Sequence, residues 1–129
     1  MSAPAFENLD LACAKVGKTI AEQPSKELEK LITSALAVLE EQGVYALFLY
    51  LNVQGKKIGQ TVRGKLYDFL KNTPQKSSLL PKNNNDIFDA LQKLGENLDN
   101  LLLARDLVRQ ALVYARYHAK LGEKEKTSS

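Results

Sequence analysis

One cysteine, one histidine and no tryptophan occur among 129 residues, and each scarcity narrows what this chain does. A lone Cys13 cannot close an internal disulfide, which fits a reducing compartment and a cytoplasmic location. Zinc sites need three or four His, Cys, Asp or Glu ligands, and Cys13 with His118 offers too few. As a nucleophile pair the same two residues lack an orienting third group and an oxyanion loop. No P-loop, GxGxxG or HExxH pattern appears. The acidic pairs Glu40-Glu41 and Asp86/Asp89 read as solvated helix ends rather than acid–base dyads. Neither enzymatic activity nor a cofactor or metal is expected. The longest apolar run, Val44 to Leu51, is too short to cross a bilayer, and no signal-peptide pattern opens the chain. The expected partner is not a membrane.

Hydrophobic residues make up 44% and charged residues 26%, a globular balance with enough chain for a single core. Helical periodicity runs throughout. Leu9, Ala12, Cys13, Val16 and Ile20 mark a first helix ending near Gln23-Pro24. Ser25 is an N-cap for a second, whose buried stripe is Leu28, Leu31, Ile32, Ala35, Val38 and Leu39 and which Gly43 terminates. The segment 44–53 is apolar on every side. Helix is preferred over strand because no partner strand exists to satisfy its backbone. Gly55-Lys-Lys57 breaks it, and Ile58, Val62, Leu66, Phe69 and Leu70 define a fourth helix. Residues 72–85, with two prolines and three consecutive asparagines, read as an exposed loop. Asn85 or Asp86 caps a short helix through Leu94, and a long final helix runs from Leu98 to Leu121, stopped by Gly122. The expectation is an all-α, compact bundle of five to six helices over residues 1–121, with a disordered tail over 122–129.

Net charge is only +3, but it is unevenly spread. Residues 54–82 hold seven Lys/Arg against one Asp/Glu, and residues 101–129 hold six against three. Two basic blocks either share a face in the fold or are merely solvated helix surface. In the last helix, Arg105, Arg109, Arg116 and Lys120 fall within about 60° of one another and span about 22 Å. Leu103, Leu107 and Tyr114 occupy the opposite side. Such a cationic ridge suits consecutive phosphates, since the guanidinium fork donates two hydrogen bonds at once. Lys56, Lys57 and Arg63 form a second candidate group. Tyr67 beside Arg63 either stacks an unpaired base or packs on the core. Lys76, Lys82 and the Asn83-Asn84-Asn85 run lie in the loop, the asparagines serving equally as phosphate ligands or as turn formers. Leu98, Leu102 and Val113 lie near the ridge, as scattered surface residues or as part of a protein contact.

Two segments carry a resemblance. Leu31-Ile-Thr-Ser-Ala-Leu-Ala-Val-Leu-Glu-Glu-Gln-Gly-Val-Tyr-Ala-Leu-Phe-Leu-Tyr-Leu51 is a helix, a glycine turn and a very apolar helix. Arg109, Ala111, Leu112, Tyr114 and Arg116 fill an arginine–small–leucine–aromatic–basic pattern in the closing helix. Both resemble the small α-helical subunit of type III-B CRISPR effectors, the Cmr complex, with the type III-A small subunit second. The resemblance implies a non-catalytic antiviral-defence subunit that stacks with copies of itself beside the backbone and large subunits. It also implies a basic face toward guide RNA and target RNA. That role needs backbone contacts alone, because base pairing reads the sequence. The alternative is a helical protein–protein adaptor without nucleic-acid binding. A DNA-binding regulator is a weaker third reading, since residues 98–103 offer almost no base-reading side chains.

Overall fold

The computed structural model describes residues 8–54, 56–75, 77–81 and 86–128, with side chains to residue 125. Six helices account for most of it: α1 Leu9–Ile20, α2 Lys26–Gln42, α3 Val44–Gln54, α4 Lys56–Asn72, α5 Ile87–Gly95 and α6 Leu98–Ser128. No strand occurs among the described residues. The caps follow the side-chain chemistry. Asn8, Ser25, Asp86 and Asn97 each accept a first-turn backbone N–H, which otherwise has no partner. Gly43 ends α2 at φ 96°, where a Cβ would be strained, and its carbonyl starts α3 at once by accepting from Leu47.

α6 is the spine. α1 runs parallel to it, with Cys13 Sγ at 3.5 Å from the Leu107 carbonyl and Gly17 against Ala111 and Ala115, while the Tyr114 side chain leans back to donate from Oη to Asp10 at 2.8 Å. α2 runs antiparallel to α6, its end beside Arg105 and its start beside Gly122. α3 folds back along α2, and α4 along α3, with Gly59 pressed on the Leu51 carbonyl. α5 closes the end where α3 starts, through a tilted Tyr45–Phe88 ring pair with centroids 5.5 Å apart. The core joins Ile32, Leu39, Leu47, Phe48, Leu66 and Leu112, all without solvent access.

Two expectations change. Gly122 does not stop the last helix, which continues to Ser128, so the expected tail is helical there. The glycine serves a contact instead, since a Cβ at 122 would collide with the Pro24 ring. The segment after α4 is not simply exposed. Leu79 and Leu80 are buried, and the Leu80 N–H donates to the Leu70 carbonyl at 3.2 Å. Gly55, Lys76, Lys82 and the three asparagines lie outside the described residues.

Candidate nucleic-acid interface

The cationic ridge of α6 is real in register but different in setting. Its helix buries Ala104, Leu107, Val108, Ala111, Leu112, Ala115 and Ala119. At about 100° per residue, Leu112 lies within about 40° of both Arg105 and Arg116. The core arc is therefore rolled toward the cations. Leu103 and Tyr114, half-buried, form one edge of it, and the ridge forms the other. α2 stands beside that second edge.

This roll divides the ridge in two. Arg105 donates to the Glu40 carbonyl at 3.1 Å and lies 3.4 Å from the Glu40 carboxylate. Arg109 reaches the same carboxylate at 3.4 Å and Asp106 at 2.7 Å. The pair expected to face an outside polyanion thus straps α6 to the end of α2. Arg116 and Lys120 differ: neither has a hydrogen-bond or ion-pair partner among the described residues. Arg116 is half-buried along its stem, with its Nε shielded and unpaired, and Lys120 is exposed. A long stem packed on apolar surface with the head left at the edge is ordinary arginine behaviour.

The second basic group sits at the end of the bundle where α2 begins. Lys56 and Lys57, on the first turn of α4, are exposed and unpaired among the described residues. Lys56 holds φ at 49°, in the left-handed region. Arg63 is half-buried and donates to Asn52 Oδ1 at 2.9 Å, which holds α4 on α3. Tyr67 is packed against the core, and Lys71, rather than Arg63, covers its ring at 5.2 Å. Lys65, whose place in the helical register sets it off the face of Lys56 and Arg63, donates to the Thr19 carbonyl at 2.7 Å and faces Glu22 at 3.8 Å. Ile58 of α4 and Pro24 line one cleft of about 610 Å³, and Gly122 of α6 touches Pro24. Lys56, Lys57 and Lys120 therefore belong to one end of the molecule. The opposite end gathers Glu40, Glu41, Asp89, Glu96, Asp99 and Asp106.

Little else has chemical character. Burial first, and the Asp10 charge second, push the Cys13 thiol up to about 11, so no thiolate exists at neutral pH. No group of three His, Cys, Asp or Glu that could hold a metal occurs among the described residues. No helix there is long and apolar enough to cross a membrane. α3 exposes Tyr45, Leu49 and Val53 at i,i+4 spacing, a stripe that the unbroken apolar run of 44–51 had concealed. Comparison with protein-family models, curated proteins and solved structures gave no match.

Proposed function

We propose that the chain is a non-catalytic structural subunit of a type III CRISPR RNA-guided effector ribonucleoprotein, contacting the backbone of guide or target RNA. The observation that carries this reading is a set of four cations without internal partners among the described residues, Arg116 and Lys120 on α6 and Lys56 and Lys57 at the start of α4. Between Asp106 and Glu123, α6 has no carboxylate to repel a phosphate. Cations left unpaired in this way add to affinity chiefly by releasing counterions from the nucleic acid. Arg105 and Arg109 contribute less, because Glu40 and Asp106 already hold them. The resemblance of residues 31–51 and 101–119 to the small-subunit family directs the reading to that assembly. Stacking of copies is supported by the contrast between the lysine-bearing and acidic ends.

The test is the full chain with Arg116→Glu and Lys120→Glu, titrated with single-stranded RNA over a range of salt. Affinity falls, the salt slope shrinks by about 0.7 for each phosphate no longer neutralised, and helical content is unchanged. An unaltered salt-dependent affinity overturns the reading.

The α3 stripe of Tyr45, Leu49 and Val53 favours a second reading, the protein–protein adaptor. Nuclease treatment before a pull-down separates the two. RNA-bridged partners vanish, and directly bound ones stay.

A further inference from the structure

The acid-free stretch of α6, from Leu107 to Gly122, carries one aromatic that the bundle does not use. Tyr117 is 69% exposed, the most exposed aromatic among the described residues. It makes no hydrogen bond or ring contact with any of them. Its neighbours behave otherwise. Tyr114, three residues earlier, packs against the core and donates to Asp10. Tyr67 is packed and has its face covered by Lys71. An open tyrosine face offers a ring that any nucleobase can stack on, with a hydroxyl that stays wet. Lys120 stands one turn further along, at the i,i+3 spacing that makes helix residues neighbours, and Arg116 precedes the ring. Both cations are unpaired among the described residues.

We propose that Tyr117 is a stacking platform for an unpaired nucleobase, with Lys120 and Arg116 taking the phosphates that flank it. This rests on the RNA reading above and sharpens it. The ligand is a single-stranded segment, because paired bases keep both faces in their own stack. Selection is by strandedness rather than by sequence, since every base presents a π-face.

The experiment uses the full chain and a short fluorescent oligoadenylate, alone and annealed to its complement, followed by anisotropy across a salt series. Tyr117→Ala weakens single-strand binding roughly 5- to 100-fold, whereas Tyr117→Phe retains it. Neither changes duplex binding or the salt slope, because neither removes a charge. Lys120→Ala lowers the slope by about 0.7. If Tyr117→Ala binds the single strand as the native chain does, the platform is overturned. The RNA reading then still stands on the Lys120→Ala slope. If neither variant alters binding, the reading and the platform both fall. If Tyr117→Ala disturbs only self-association in sedimentation, the ring is a protein contact and the platform is again overturned.

Discussion

Gly17 of α1 sits directly against Tyr114 of α6: a Cβ at position 17 would lie 2.7 Å from the Tyr114 Cβ. It would also lie 2.8 Å from the Ala115 nitrogen and 2.9 Å from the Ala111 oxygen, and two of those three atoms are backbone. The spine of the bundle is therefore set by the absence of a side chain.

Gly17→Ala should destabilise the fold by about 1–3 kcal/mol despite alanine's better helix propensity, because α1 must back away from α6. Gly64→Ala is the control. Gly64 lies mid-α4 with open space around its position, so alanine there should stabilise by about 0.5–1 kcal/mol. Urea unfolding of both variants checks the opposite signs.

Leu80→Ala should cost about 2–5 kcal/mol in the same measurement, a core penalty from a residue outside any helix. Leu80 has no solvent access and is tethered to the end of α4 by its own N–H. A loss below about 0.5 kcal/mol would mean that the segment does not pack as described.

Glu40→Ala should change stability by less than about 1 kcal/mol, since its pairs with Arg105 and Arg109 are long and substantially exposed. It also removes one carboxylate from beside both guanidinium groups, while Arg105 keeps the residue-40 carbonyl and Arg109 keeps Asp106. RNA affinity at low salt should therefore rise, with a steeper salt dependence. An affinity equal to that of the native chain would restrict Arg105 and Arg109 to the α2–α6 seam.

Alkaline stability should report Cys13. Its folded thiol titrates near 11 against an ordinary value of 9.0, raised first by burial and then by Asp10. A raised acid binds its proton more tightly when folded, so the contribution is complete below about 9 and fades as pH climbs toward 11. Tyr114 adds in the same direction, its hydroxyl raised first by the hydrogen bond to Asp10. Cys13→Ala should flatten the decline measured by unfolding between pH 9 and 11.

Much of the helix set was legible because periodicity and caps are local. Ser25, Gly43 and Asp86 act where their side chains, or the lack of one, predict. Gly122 misled because a glycine's tendency to end a helix is also local, and here the contact with Pro24 outweighs it. Leu79 and Leu80 were hidden by the prolines, serines and asparagines around them. The burial of both depends on where α4 ends, not on their own neighbours.

The candidate interface divides along the same line. That Arg105, Arg109, Arg116 and Lys120 share one strip of α6 follows from 3.6 residues per turn, and no partner is needed to know it. Which of them stay open to an anion depended on how far α6 is rolled and on Glu40, 65 residues away along the chain from Arg105. Helical register is a property of consecutive residues. The partner of each charge is decided only when distant helices pack.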